Sequence, residues 1–283
     1  MKKIFAMLLA LTMILSLAAC GGSKKEEPKQ EETKTEETAP ETDATYIEGN
    51  GKLVVGITIY EPMNYYDDAG KLTGFDTEFA EAVCAKLGLE PEFVEINWDT
   101  KEIELNAKSI DCIWNGMTIT EDRMSNMSIS APYVKNAQVI VVKTDSTYAS
   151  TADLVDATLV AEIGSAGEAQ IDGEEANADL AQAEYVGMAK QTDCLMEVKA
   201  GTADAAVLDW TLAKSMVGEG TDFADLKMME GVELATEEYG IAFRQGSDFT
   251  AKVNTAIDEL VADGTLPALA EKYGLALAPA IAG

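Results

Sequence analysis

From about residue 50 onward, short apolar runs of strand length alternate with segments of helical period. That alternation restricts the chain to α/β architectures with mostly parallel sheets. KLVVGIT (52–58) reads as a buried strand. FDTEFAEAVCAKLG (75–88) reads as a helix, with Phe79, Val83 and Leu87 four residues apart and Gly88 at its end. EPEFVEI (90–96) is a strand, KEIELNAKS (101–109) a helix and DCIWN (111–115) a strand, with a further strand at AQVIVVK (137–143). The pattern then repeats. ADLVD is a short helix, TLVAEIG and AEYVGM are strands, and QTDCLMEVKAG is a helix. DAAVLD (204–209) is a strand followed by a helix from Trp210, and YGIAFR (239–244) is the last strand. Two closing helices carry Val253, Ile257, Leu260 and Val261, then LPALAEKYG.

The chain also echoes itself. AKSIDCIWN passes from helix to strand after an aspartate, and AGTADAAVLD does the same about 93 residues later. Two similar α/β lobes are expected. In open α/β sheets, ligands sit outside the C-terminal ends of the strands. Asn115 and Asp209 fall at those ends, one per lobe.

With 283 residues and 47% apolar content, the chain has enough material for two domains. Its formal charge of −29 repels phosphate backbones and anionic lipid headgroups, which excludes nucleic acid as a partner. The absence of histidine removes Ser-His-Asp and Cys-His catalysis and every His-ligated zinc site. Cys84, Cys112 and Cys194 stand in apolar contexts with no CxxC spacing and read as buried free thiols. No metal and no cofactor is implied.

Residues 1–19 read as a signal peptide: Lys2 and Lys3, then an apolar run ending in small residues, too short for a comfortable membrane span. LAAC (17–20) followed by two glycines resembles a bacterial lipobox. That resemblance implies cleavage before Cys20 and lipid attachment to its sulfur, anchoring the chain to a membrane. The alternative is an ordinary signal peptide with an incidental Cys20. Residues 20–46 are Glu-, Lys-, Thr- and Pro-rich and predict a disordered acidic tether.

Several residues carry candidate binding chemistry. Thr120 is a good helix N-cap, with Glu121 and Asp122 in the first turn, which places Arg123 at the third helical position. Its planar fork suits a bidentate grip on a carboxylate, although pairing with a neighbouring acid is equally available to it. Gly116 lets a ligand approach the strand-end backbone closely, and Thr118 lies two residues on, alternating with Met117. Asp209 is either a plain N-cap or a carboxylate presented to an ammonium group. Arg123 and Asp209 together complement a zwitterion. Tyr60 and Trp98 follow predicted strands, as core aromatics or as an apolar pocket wall. AEIGSAGEA (161–169) lacks phosphate-loop and nucleophile-elbow signatures and reads as a strand feeding a helix, with Glu162 at the strand end.

Together GKLTGFDTEFAEAVCAKLG, IDCIWNGMTITEDR, SAPY, GTADAAVLDW, EEYGIAFRQGSD and DGTLPALAEKYG resemble the family 3 solute-binding proteins of ABC amino-acid importers over about 50–275. The resemblance implies an α/β two-lobe clamshell of the type II periplasmic-binding-protein class, with crossover hinge strands at 137–143 and 238–244. Lobe 1 comprises 47–142 and 238–283, and lobe 2 comprises 143–237. It implies that Arg123, assisted by Thr118, grips the α-carboxylate of an L-amino acid. The Asn115–Met117 backbone, including Gly116, and Asp209 receive the α-ammonium. Tyr60 and Trp98 flank the ligand side chain, which Glu162 and Ala166 face from lobe 2. Two positions depart from the family pattern. Thr58 and Ile59 stand where several relatives carry an aspartate, and Ala166 replaces a threonine, leaving Ser165 or backbone amides to help the carboxylate. Glu162 and the acidic surface favour a polar or cationic ligand. The implied protein is a monomeric, lipid-anchored, extracytoplasmic binding module and not an enzyme, with ABC permease subunits as partners. The alternatives are a ligand-sensing module for a membrane receptor and a dehydratase-like enzyme on the same fold.

Overall fold

The computed structural model describes residues 42–282 apart from Glu175. The expected signal peptide, Cys20 and most of the tether lie outside the described residues. The chain runs α1 (Asp43–Asn50), β1 (Lys52–Ile57), a hairpin of β2 (Tyr65–Tyr66) and β3 (Leu72–Thr73), α2 (Phe75–Leu87), β4 (Glu90–Glu95), α3 (Lys101–Asn106), β5 (Cys112–Thr118), α4 (Glu121–Asn126), β6 (Met127–Ile129) and β7 (Val134–Lys143). It continues through β8 (Thr158–Glu162), α5 (Ala166–Asp172), β9 (Glu184–Met188), α6 (Gln191–Ala200), β10 (Ala205–Asp209), α7 (Trp210–Met216), β11 (Leu226–Arg244), α8 (Phe249–Ala262) and α9 (Thr265–Tyr273). Among these helices none is long and apolar enough to cross a membrane.

One sheet runs through the described residues in the order β4-β1-β5-β11-β7-β10-β8-β9, with β6 on β11. In the first lobe β1 pairs parallel with β4 and β5. In the second, β8 pairs parallel with β9 and β10. The two crossover strands, β7 and β11, are antiparallel to each other and to β10 and β5 respectively. Every residue of β5 and of β10 is buried, as expected of strands covered on both faces. The C-terminal ends of β5 and β10 therefore face one another across the crossover pair.

Local chemistry accounts for the elements. In α2, Phe75, Phe79, Ala80 and Val83 form the buried stripe, and Gly88 in the left-handed region ends the helix. Phe79 packs edge-on against Trp114 and Tyr133 at centroid distances of 5.0 and 5.5 Å. Cys84, Cys112 and Cys194 are buried and unpaired.

Two boundaries differ from the sequence expectation. Residues 43–46, assigned to the tether, are the first half of α1, which Thr42 caps and which buries Ala44 and Ile47. Arg244 holds that helix down: its Nε donates to Asp43 at 2.6 Å, its Nη2 to Asp111 at 3.0 Å, and its Nη1 to the carbonyls of Leu105 and Ile110. The second crossover strand begins at Leu226 rather than 238 and spans 19 residues. Its early part, GVELATEE, lacks a clear apolar alternation, and register shifts near Glu233 break the pairing with β7.

Candidate functional site

Tyr60, Trp98, Asn115, Gly116, Thr118, Arg123, Glu162, Ser165, Ala166 and Asp209 line one small, closed-in cavity of about 10 Å³, with Gln191 as the one further lining residue. Met117 is not among them. Strand alternation turns its side chain to the opposite face, where it packs with Ile113, Met127 and Ala242. Every other residue singled out for ligand contact faces the same space.

Lobe 1 supplies the cation. Thr120 caps α4, accepting from the Arg123 N–H at 3.1 Å, and this sets the guanidinium toward the cavity. Arg123 Nη1 donates to the Thr118 carbonyl at 2.8 Å, and Nη2 reaches across the cleft to the Gly164 carbonyl at 3.1 Å. Burial pulls the guanidinium down from its ordinary value, against the attraction of Glu237 and Asp209. The Asn115 side chain serves the scaffold: it accepts from Thr58 N–H at 3.0 Å and Asn64 Nδ2 at 2.8 Å, and donates to Thr58 Oγ1 at 2.7 Å. Thr58, one of the two family departures, thus has a partner at the strand end. Gly116 sits at a φ of 58°, and a Cβ there would meet the Tyr60 ring at 2.7 Å.

Lobe 2 supplies the acids. Asp209 occupies the N-cap position of α7 but makes no capping bond. Its Oδ1 accepts from Asn136 Nδ2 at 2.7 Å and Gln138 Nε2 at 2.6 Å, and its Oδ2 accepts from Gln191 Nε2. Glu162 is buried, and its Oε1 has no hydrogen-bond partner among the described residues. Burial and then the Asp209 charge push its carboxyl up to about 8, which Lys101 only partly counters. Ser165 caps α5 by accepting from Glu168 N–H at 3.1 Å, and Glu168 accepts from Gly164 N–H at 2.7 Å.

Five functional-site neighbours were not legible in the sequence. Glu237 on β11 accepts at Oε1 from Thr118 Oγ1 at 2.9 Å, Asn136 Nδ2 at 2.5 Å and Gln138 Nε2 at 2.9 Å. Burial, followed by the charge of Asp209, raises its carboxyl toward neutrality. Gln191 begins α6 and binds Asp209 through both its amide nitrogen and its amide oxygen, the latter accepting from Asp209 N–H at 3.0 Å. Tyr239 and Thr211 join Tyr60 in a hydroxyl cluster spanning the lobes: Tyr60 Oη meets Thr211 Oγ1 and lies 2.6 Å from Tyr239 Oη. Lys101 lies at the rim, 4.8 Å above the Trp98 ring, and donates to the Trp98 and Gly164 carbonyls at 3.1 and 3.0 Å. Burial, then Arg123, lowers its ammonium to about 8. The arrangement is a small polar chamber with cationic donors on one side and carboxylates on the other, complementary in charge to a zwitterion.

Residues 53–276 match the family model of bacterial extracellular solute-binding proteins, family 3. The L-cystine-binding protein TcyJ of Escherichia coli K12 is 30% identical over 231 residues, covering 80% of this chain and 84% of that one. The arginine-binding extracellular protein ArtP of Bacillus subtilis is 28% identical over 276 residues, covering 96% and 98%. Among solved structures, holo ArgBP from T. maritima superimposes with a TM-score of 0.69 at 34% identity, covering 81% of this chain and 98% of that one. The alternation of strands and helices, the two crossover strands and the matched span agree, and the chain belongs to the bacterial extracellular solute-binding proteins, family 3.

Proposed function

We propose that this chain captures a polar or cationic L-amino acid between its lobes and delivers it to the permease of an ABC importer. One observation carries the reading: Arg123 of lobe 1 and Asp209 and Glu162 of lobe 2 enter a single cavity from opposite sides. Arg123 takes the α-carboxylate in the open form, and closure brings Asp209 to the α-ammonium. The ligand favours the closed state only through contacts it gains there. Charge-assisted hydrogen bonds contribute about 1.5–3 kcal/mol each, enough with aromatic burial for micromolar binding. The unpartnered Glu162 oxygen favours a ligand side chain that donates, as do the relatives named for arginine and cystine.

The lipobox-like LAAC sequence supports anchoring through Cys20 at the extracytoplasmic face of the membrane, with the chain acting as a monomer. The binding reading is tested by calorimetric titration of the purified protein with the common amino acids, ornithine, citrulline and cystine. Saturable binding that Arg123→Ala weakens by about tenfold or more supports it, and full affinity in that variant removes Arg123 from the site. Cys20→Ala should release the protein from the membrane fraction if the anchor is real.

One observation favours a second reading. A carboxyl held near 8 in a closed chamber is the proton donor that a dehydratase needs. Turnover of a cyclic carboxylic acid, lost in Glu162→Gln, would support it over binding alone.

A further inference from the structure

Beneath the cavity lies a pair of carboxylates that the capture mechanism does not use in full. Asp209 lines the enclosed chamber. Glu237 does not. It is half-buried and lines a separate outer groove of about 1100 Å³, together with Lys135, Glu238 and Asn254. The two acids are joined by shared donors. Asn136 Nδ2 and Gln138 Nε2 each donate to both Asp209 Oδ1 and Glu237 Oε1, over 2.5 to 2.9 Å. Two oxygens on the same two amide nitrogens are close neighbours, and ionising both carboxyls in a buried setting is costly.

Charged groups face the pair from several elements. Arg123 from α4 is the cation facing both acids. Glu162 from β8 faces Asp209, and Lys101 from α3 faces Glu162. Thr118 from β5 donates to Glu237, and the neighbouring strand residues Lys135 and Glu238 line the outer groove. Glu237 Oε1 accepts all three donors, so a proton on this carboxyl resides on Oε2. A second observation points to a ligand at this chamber: Glu162 Oε1 is a buried acceptor without a donor among the described residues.

We propose that Glu237 carries a proton, and that a ligand ammonium seated against Asp209 expels it into the outer groove. The proposal rests on the amino-acid reading of the cavity. The balance is simple. The Glu237 O–H bond breaks, the electron pair stays on the carboxylate, and the proton passes to water in the groove and then to buffer. The incoming ammonium replaces the lost positive charge. Because Glu237 reaches a different solvent space from Asp209, the proton leaves without reopening the chamber. Capture is therefore linked to external pH through a residue that touches no ligand and acts by positioning charge.

The test is titration calorimetry of the purified protein with L-arginine, L-glutamine and L-cystine, in phosphate and in imidazole, from about pH 8 to about pH 6. The difference in heat between buffers counts protons. The expected result is release of up to about one proton per ligand on the acid side, with affinity falling toward tenfold per pH unit. In Glu237→Gln, whose amide oxygen still accepts from Thr118, Asn136 and Gln138, that release and that slope are lost. Glu237→Asp restores them in part, which a merely structural role would not do. Binding without proton release, proton uptake, or an unchanged slope in Glu237→Gln overturns the proposal and leaves the amino-acid reading standing. No binding by any of the three amino acids overturns both. Should the glutamine variant not fold, the proton count of Glu162→Gln with L-glutamine decides: release that persists without the Glu162 carboxyl supports the proposal, and its absence overturns it.

Discussion

Arg123 Nη2 lies 3.1 Å from the carbonyl oxygen of Gly164, so a side chain of one lobe donates to the backbone of the other. Lys101 Nζ reaches the same oxygen at 3.0 Å. Two cations of lobe 1 thus converge on one carbonyl of lobe 2, and the remaining guanidinium donors of Arg123 are directed toward the chamber. Closure and ligand binding draw on the same side chain.

Replacing Arg123 by Ala should lower ligand affinity by at least about tenfold, and by about a hundredfold where the carboxylate is held by two bonds. Arg123→Lys should recover little of this, because a point charge does not reproduce the fork. Calorimetry of the two variants side by side checks both statements.

Glu162→Gln should discriminate among ligands. An acceptor oxygen remains, but the side chain can no longer ionise beside a cationic ligand side chain. Affinity for a cationic amino acid should fall several-fold more than affinity for a neutral one. Equal losses for both would show that Glu162 does not read ligand charge.

Asp76 offers a pH test away from the ligand. It is buried and accepts from Gly116 N–H at 2.7 Å and Tyr133 Oη at 3.0 Å. Burial pushes its carboxyl up to about 7, against those donors and Trp114. The folded state therefore holds this proton more tightly than the unfolded chain between the ordinary aspartate value of 3.8 and about 7. Stability from this group is fully present below that window and declines as pH rises through it. Asp76→Asn should remove this share of the slope and raise the melting temperature relative to wild type at pH 8. A wild-type-like difference in melting temperature between acid and neutral pH would contradict it.

Gly116→Ala should destabilise the protein by about 1–3 kcal/mol. The left-handed backbone at a φ of 58° is strained for any side chain, and the new methyl would lie 2.7 Å from the Tyr60 ring and 3.1 Å from Tyr239. Chemical denaturation measures the loss.

Arg244→Ala should cost about 3–5 kcal/mol, because it strands Asp43 and Asp111 and two carbonyls. Lys272→Ala, which breaks the exposed pair with Glu78, should cost under about 1 kcal/mol. Comparable denaturation midpoints for the two variants would refute the contrast.

The sequence made much of this legible where the signal was local. Thr120 as a cap fixed the position of Arg123, and strand ends placed Asn115 and Asp209 at the chamber. Periodicity also turns the Met117 side chain to the other face, since it stands between Gly116 and Thr118 on a strand, and leaves only its backbone at the strand end expected to meet the ligand. Glu237 and Gln191 gave no such signal. Glu237 belongs to an acidic run, TEE, that reads as a solvated face, and only the pairing of β11 with β7 brings it to Asn136 and Gln138. Gln191 opens a helix in another part of the chain, and its value lies in an 18-residue jump to Asp209. Helix α1 escaped notice because its length is short and its apolar content low, while its hold on the body comes from Arg244, some 200 residues away.

That last distance bears on how the protein is made. The sheet of lobe 1 is completed by residues 239–243 of β11 lying against β5, and the far end of the same strand carries the arginine that seals α1. During synthesis or export, the amino-terminal half emerges without the strand that finishes it, whereas β8, β9 and β10 find their partners within a compact stretch. Completion of the lobe 1 sheet therefore waits for the end of the chain, a delay set by the topology itself.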